Sequence, residues 1–478
     1  MGSTAPDREM GPGRPADLGG QLVGKAVAWL SEDPLDASDL DDVDTTPDDH
    51  LSPRDSNLGF GMLAVTCAPP ASPSDAPIPP AEEQRPAMSL VRNVDSLISK
   101  GEVSGRRVFL RADLNVPITN GVITDDTRIR ASIATLRRLL DAGARVVLAS
   151  HLGRPKGEPK PELSLSPIAD ALAAYLGQPV AFCGECVGAE AESAVAALAD
   201  SEVVLLENLR FHPGETNNEP DFAAQLAGLA DVYVNDAFGT AHRAHASTAG
   251  IAGLVGTRAA GLLLESELTQ LRVALEPTRP FLCLLGGSKV SDKLGVLEAL
   301  AARADVLAVG GAMAYTFLAA QEHPVGSSLV EPDRFEDAKR VLAASKHLLL
   351  PTDHVIAQEI RADAEHRVVA TIPEGWMGVD IGPETAARYA QEASRAETIF
   401  WNGPMGIFET EPFAAGTETV ARGVADSSAR SIVGGGDSLA AIQKLALGDR
   451  IGHLSTGGGA SLAYLQGLEL PGVTALEA

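Results

Sequence analysis

Arg145-Val-Val-Leu-Ala-Ser-His151-Leu-Gly-Arg154-Pro155 and Ser431-Ile-Val-Gly434-Gly-Gly-Asp437 decide the fold. Each opens as a short β-branched run and ends in a polar or glycine turn. An apolar run without alternation reads as a strand buried on both faces, the mark of a parallel sheet. Outward from the first stretch, Val108–Leu110, Val203–Glu207 and Val232–Asn235 are predicted strands of the same kind. Between them, Thr127–Ala142, Ser166–Leu176 and Pro220–Ala227 carry helical spacing. Outward from the second, Phe281–Leu285, Val306–Val309, Leu348–Leu350, Thr398–Phe400, Ser431–Val433 and His453–Ser455 repeat the pattern. Such βα alternation implies parallel sheets with helices on both faces.

The two series are separated by Leu262–Leu275, with Leu264, Leu268, Leu271 and Leu275 on one helical face, followed by Pro277 and Pro280. The expected class is therefore α/β: two doubly wound parallel-sheet (Rossmann-like) domains joined by a hinge helix. The expected boundaries are 88–261 for the first domain, 262–275 for the hinge and 276–465 for the second. The halves share a style but no detectable sequence repeat.

Residues 1–87 differ from the rest. They hold 16 acidic and 5 basic residues, rich in Pro, Ser and Asp, so about −11 of the net charge of −26 sits there. A segment of this composition buries too little apolar surface to offset its chain entropy, so a disordered acidic, Pro-rich extension is expected. Met88 stands just before the globular pattern, which leaves a start at that methionine open as well.

The net charge makes nucleic acid a poor partner. No apolar run of about 18 residues is present, so no membrane span is expected. The amino terminus lacks a basic region followed by an apolar run and is acidic, so neither a signal nor a transit peptide is read. Four cysteines in 478 residues argue for a reducing, cytoplasmic setting. Cys183 and Cys186 have CxxC spacing, but no second pair completes a zinc site, and packing or loop roles are the simpler reading.

In open parallel sheets, ligands bind beyond the carboxyl ends of the strands. In the first half those ends carry Arg and His: Arg111-Ala-Asp113-Leu-Asn115, His151-Leu-Gly-Arg154, Asn208-Leu-Arg210 and Asp236-Ala-Phe-Gly-Thr-Ala-His242-Arg243, with Arg128 opening a helix. A single Arg is ordinarily a surface or salt-bridge residue. Several strand ends delivering cations to one edge suit bidentate capture of phosphate and carboxylate. In the second half the ends carry glycine: Gly286-Gly-Ser-Lys289-Val-Ser-Asp-Lys293, Gly310-Gly, Gly434-Gly435-Gly436-Asp437-Ser438 and Thr456-Gly-Gly-Gly459. Each precedes a helix, whose free N–H groups attract phosphate.

The Walker A spacing is absent, and no GxGxxG follows the first strand of either half, which opposes a P-loop enzyme and a dinucleotide dehydrogenase. Lys289 and Lys293, at i, i+4, are expected to share a helix face where charge spreads during phosphoryl transfer. Asp437 is placed to hold Mg2+, although a lone Asp before a helix is by default an N-cap, and both roles can coexist.

These strings in this order resemble the phosphoglycerate kinase family, together with Glu207-Asn-Leu-Arg210-Phe and Trp401-Asn-Gly-Pro-Met-Gly-Ile-Phe-Glu409. The resemblance runs from about Met88 to Ala478. It implies reversible phosphoryl transfer between 1,3-bisphosphoglycerate and ADP, giving 3-phosphoglycerate and ATP, with Mg2+ and in a monomer. It implies that Asp113, Asn115, Arg128, His151, Arg154, Arg210 and Arg243 bind phosphoglycerate. Lys293, Gly378, Glu409, Gly435, Gly436, Asp437 and Ser438 would bind the nucleotide, Glu409 at the ribose and Asp437 also at the metal. Arg128, Lys289 and Lys293 would be catalytic. It further implies that the final residues, about 466–478, pack back on the first domain. The extension at 1–87 has no counterpart in the family's usual pattern.

Overall fold

This computed structural model describes residues 91–477. The expected disordered extension at 1–87 lies outside the described residues. The strands run in chain order β1 (Arg107–Arg111), β2 (Ile118–Thr119), β3 (Val122–Ile123), β4 (Arg145–Ala149), β5 (Ala181–Cys183), β6 (Val203–Leu206), β7 (Val232–Asn235) and β8 (Arg258–Ala260). They continue with β9 (Phe281–Leu285), β10 (Val306–Val309), β11 (Leu348–Leu349), β12 (His354–Ala357), β13 (His366–Val369), β14 (Met377–Ile381), β15 (Thr398–Asn402), β16 (Arg430–Gly434) and β17 (His453–Ser455).

Two six-stranded sheets result, ordered β5-β6-β4-β1-β7-β8 and β11-β10-β9-β15-β16-β17. Every pairing in both is parallel. The doubly wound α/β class read from the sequence is therefore the fold. The period-two geometry of a strand explains the layering. In the first sheet, Val108, Leu110, Val146, Leu148 and Val234 face one way, onto Leu136, Leu139, Ile168 and Leu172 of helices Thr127–Asp141 and Ser166–Leu176. Phe109, Val147, Val204 and Tyr233 face the other way, onto Val195, Phe222 and Leu226. In the second sheet, Leu282, Leu284, Ile399 and Trp401 meet Tyr389, Val420 and Val424 of helices Pro383–Arg395 and Ala415–Asp426.

The opposite face of each sheet joins one continuous cluster through helix Leu262–Leu275. Its Leu264, Leu268 and Leu271 pack with residues of both sheets, including Phe281 and Cys283. The start of this helix is satisfied from the first sheet. The Asp236 carboxylate accepts the N–H groups of Leu263 at 2.8 Å and Leu264 at 3.1 Å, and Thr135 Oγ1 accepts that of Leu262. Its middle is tied to the second sheet: fully buried Glu267 accepts the Thr456 N–H at 2.7 Å and lies 2.9 Å from His453 Nε2. Near the chain end, helix Pro471–Thr474 meets β7, since Asn235 Nδ2 donates to the Gly472 carbonyl at 2.9 Å. Arg258 of β8 donates to the Glu477 carbonyl, and Val91 bridges Glu477.

The strand and helix limits differ from the sequence reading by a residue or two at several ends. Among the strands, β5, β8, the β2–β3 hairpin and the antiparallel sheet β13-β12-β14 were not anticipated. The last lies at 354–381, where β13 has three exposed residues of four and carries no buried apolar run.

Candidate functional site

In the first sheet, β1 is flanked by β4 on one side and β7 on the other, so the connections diverge at its carboxyl end. This is where an open α/β sheet forms a ligand crevice. Asp113, Asn115, His151, Arg154, Arg210 and Arg243 all follow these strand ends, and Arg128 joins them from the first turn of its helix. Asn115 organises the rim: its Oδ1 accepts the Gly153 N–H at 2.8 Å, and its carbonyl accepts Arg128 Nη1 at 2.8 Å. Arg128 also lies 3.6 Å from Asp113 Oδ1. Arg210 is 8% exposed and donates to the Gly153 carbonyl at 2.9 Å. Arg243 Nε donates to His242 Nε2 at 3.2 Å. Arg154 is exposed.

The crowding of cations has an electrostatic signature. Burial, then Arg243 and Arg111, lower Arg210 to about 10. Burial, then Arg210, Arg111 and Arg128, hold His151 well below the usual imidazole range. Burial and the same arginines bring His245 down to about 3, although Glu215 lies 3.7 Å from its Nδ1. Sequence reasoning missed a layer beneath the site: fully buried Arg111, Glu215 and Ser247, with His245 at 6% exposure. Arg111 was visible at a strand end. Glu215 and Ser247 carried no signal, because neither follows a strand of the sheet.

The second sheet diverges at β9, between β10 and β15. Here the backbone forms the site. Gly286, Gly310, Gly311 and Gly403 have neighbours too close for a Cβ, and Gly287 sits at φ +129. A Cβ on Gly286 would stand 2.0 Å from the Pro404 carbonyl oxygen, and one on Gly403, at φ +92, 2.2 Å from that of Gly286. Lys293 is held by this packing. Its Nζ donates to the Gly286 carbonyl at 2.7 Å, to Asn402 Oδ1 at 2.6 Å and to the Asn402 carbonyl at 3.2 Å. Burial lowers its ammonium to about 8, opposed by Asp437 and Asp292.

Lys289 and Lys293 do not share a helix face. Lys289 lies in the loop, Ser291–Lys293 forms a 3-10 turn, and the α-helix begins at Leu294. Glu331 caps this start, accepting the N–H groups of Val290 at 2.6 Å and Ser291 at 3.1 Å and the Ser291 hydroxyl at 2.6 Å. Lys289 is left exposed, without a hydrogen bond or ion pair among the described residues.

Asp437 is not an N-cap. Gly435, at φ +90, occupies the cap of helix Gly436–Lys444, and Asp437 lies in its first turn. The carboxylate is exposed and accepts no hydrogen bond among the described residues. Ser438 is buried, and its Oγ accepts the Gly403 N–H at 2.6 Å, so its hydroxyl braces the neighbouring turn. Gly378 lies on β14 with its N–H on Ser328 Oγ at 2.9 Å, and a Cβ there would overlap the Tyr315 hydroxyl at 1.9 Å. Glu409 is exposed, and desolvation together with Asp437 raises its carboxyl.

The two edges meet along one seam. A Cβ on Gly239, after β7, would stand 2.3 Å from Asp113 Oδ2 and 3.7 Å from the Thr456 carbonyl, and one on Gly457 would stand 2.2 Å from Phe238. A surface cavity of about 730 Å3, lined by Glu384, Arg388, Gln391 and Asp426 among others, holds none of the site residues.

A basic crevice and a glycine-built crevice on two parallel sheets can hold two anions and bring a phosphoryl group between them. The comparisons agree. The family model described as phosphoglycerate kinase matches residues 98–468. The phosphoglycerate kinase of Moorella thermoacetica is 56% identical over 382 residues, 78% of this chain and 97% of that protein. The cytosolic phosphoglycerate kinase of Triticum aestivum is 50% identical, covering 82% of this chain and all of that one. The solved structure of phosphoglycerate kinase from Coxiella burnetii superposes with a TM-score of 0.72 at 40% identity, over 81% of this chain and 98% of that chain. The chain belongs to the phosphoglycerate kinase family, enzymes that pass a phosphoryl group reversibly between 1,3-bisphosphoglycerate and ADP.

Proposed function

We propose a division of labour in which residues 88–261 bind phosphoglycerate, residues 276–465 bind the nucleotide, and helix 262–275 is the hinge between them. Asp113, Asn115, Arg128, His151, Arg154, Arg210 and Arg243 receive phosphoglycerate. Lys293, Gly378, Glu409 and Gly435 through Ser438 receive ATP or ADP. The observation that carries this reading is the contrast at the strand ends: Arg and His side chains converging on the first sheet, and close-packed glycine turns opening helices on the second.

The acceptor of the phosphoryl group is a carboxylate, ionised at neutral pH, so no general base is needed. Catalysis then reduces to positioning and charge stabilisation. Arg128 approaches the moving group from the first domain, Lys289 and Lys293 from the second. Closure about the hinge brings them together and excludes water. The C-terminal segment at about 466–478, already bonded to β7 and β8, returns the chain to the first domain.

The residues present fit Mg2+ bound through the nucleotide. No group of three or more acidic, His or Cys side chains able to hold a metal occurs among the described residues, whereas Asp437 offers one exposed carboxylate beside the phosphate-binding turn. Mg2+ commonly takes one or two protein carboxylates, with phosphates and water completing its shell, and there it neutralises phosphate charge. A monomer working in the cytoplasm is consistent with this reading. The wheat relative is named cytosolic, and no described helix is long and apolar enough to cross a membrane.

The test is turnover of 3-phosphoglycerate with ATP and Mg2+, coupled through an auxiliary dehydrogenase to NADH loss. Folded protein without turnover would sink the reading. Sedimentation at assay concentration checks the monomer.

A further inference from the structure

We propose that Arg111, anchored by the buried pair Ser247 and Glu215, is a positioning residue that fixes His151 as the neutral tautomer carrying its proton on Nε2, and so makes His151 a hydrogen-bond donor to the phosphate of phosphoglycerate. The assignment of that proton to substrate rests on the reading of the first site above; the tautomer itself does not.

The direction of each bond forces the result. Arg111 is fully buried at the end of β1. A guanidinium has donors only. Its Nη2 lies 3.2 Å from His151 Nδ1, so Nδ1 must supply a lone pair and cannot carry a proton. The ring is then neutral, and its single proton is on Nε2, which takes no hydrogen bond among the described residues. The surroundings favour the same state, since Arg111, Arg128, Arg210 and His245 all act on the ring and none is an acid. The other tautomer would turn a lone pair toward an incoming anion and set N–H against N–H at Arg111.

Arg111 is itself held by a chain with one possible polarity. Its Nε donates to Ser247 Oγ at 2.7 Å, and its Nη1 donates to the Ala112 carbonyl. Ser247 Oγ has one proton and gives it to Glu215 Oε1 at 2.6 Å. The Ser247 N–H donates to Glu215 Oε2 at 3.0 Å, so one residue clamps both carboxylate oxygens. The Tyr233 hydroxyl donates to the Ser247 carbonyl at 2.8 Å and fixes that backbone. Glu215 thus supplies a buried countercharge to the cationic floor. A buried network of this kind holds one geometry, and the hydrogen bond made by one ring nitrogen of a His sets its tautomer.

The experiment uses the full chain labelled with 15N-histidine and the long-range proton–nitrogen spectrum of the His151 ring, assigned by its loss in His151→Gln. The wild type should show a protonated Nε2 and an unprotonated Nδ1. In Arg111→Met, the Nδ1-protonated form should appear, and KM for 3-phosphoglycerate should rise about tenfold, the loss of one good charge-assisted bond, while KM for ATP stays put. Ser247→Ala, which removes only the middle link, should show the same changes to a smaller degree, and Arg111→Lys should restore part of the tautomer preference. A wild-type ring protonated on Nδ1 overturns the proposal. So does an unchanged tautomer in folded Ser247→Ala and Arg111→Met, or a changed tautomer with both KM values unmoved. Absence of turnover in the wild type is a separate failure, of the site reading, and leaves the spectrum readable.

Discussion

The two sheet edges are built for anions by opposite means, on the proposed reading of the site. The first uses side chains: guanidiniums at the strand ends, above a buried layer in which Ser247 and Glu215 hold Arg111 in place. The second uses backbone: N–H groups at helix starts, reached only because glycines let turns approach within ordinary backbone contact. The side-chain site distinguishes a small ligand by the geometry of its charges. On the proposed reading, the backbone site would accept a polyphosphate whatever base it carries and leave the base to β14 and its surroundings. The lesson is where each site is fragile. The first fails when a charge or its support is removed, the second when a methyl group is added.

Four experiments press on that contrast. The largest effect is expected at the contact of the two edges: Lys289→Ala and Arg128→Ala should each lower kcat by about 100- to 1,000-fold or more with little loss of stability, since each supplies charge to the transferring group. Thermal melts beside the kinetics check this, and a near-wild-type rate removes the residue from the mechanism. Next, Arg210→Ala should raise KM for 3-phosphoglycerate by roughly 10- to 100-fold and spare KM for ATP, while Gly435→Ala should do the reverse. A mixed response from both would erase the division between the edges. Third, Gly286→Ala should cost on the order of 3 kcal/mol in denaturant unfolding, because its new methyl meets backbone and cannot be relieved by a side-chain turn. An equal cost at the open Gly253, where a Cβ meets nothing within 4 Å, would argue against packing as the cause.

The smallest effect is in pH. His245 is lowered to about 3 from 6.5, so between those values the unfolded chain binds a proton that the folded one does not. Stability is therefore lost as pH falls through that window, by on the order of 2 kcal/mol at pH 5 relative to pH 7. Asp380, on β14, is raised by burial to about 7 from 3.8, so the folded chain binds the extra proton and stability falls as pH rises through that window. Melting curves of His245→Gln and Asp380→Asn against pH should therefore depart from the wild type in opposite directions. Lys293, lowered to about 8, adds a kinetic counterpart: KM for ATP should climb above that pH while KM for 3-phosphoglycerate holds.

Much of this was legible before any coordinates. The buried runs at Val146–Leu148 and Ile432–Val433 gave away parallel strands, because a strand covered on both faces has no reason to alternate. The Arg, His and Gly residues at their ends pointed to the candidate site, because an open parallel sheet offers a crevice at its carboxyl edge. The region 354–381 stayed dark, since β12 is only four residues long and opens on a histidine, and β13, with His366 and Arg367, is largely exposed and has no clear period. Asp437 misled in one respect: a helix start can be capped by a glycine at positive φ, and spacing alone does not tell which residue takes that position.

The sequence by itself determined the α/β class, the two series of strands and the opposed chemistry of their ends, because these follow from local periodicity and from which residues follow each strand. Only the tertiary structure decided what supports those ends. Glu331, 40 residues along the chain from Ser291, caps the turn that separates Lys289 from the helix after Lys293. Ser247 and Glu215 reach Arg111 from segments 136 and more than 100 residues away, and Asp236 and Glu267 tie the connecting helix to one sheet each. The physical reason is the same throughout. A hydrogen bond between distant segments depends on how layers pack, and no periodicity along the chain records its partner.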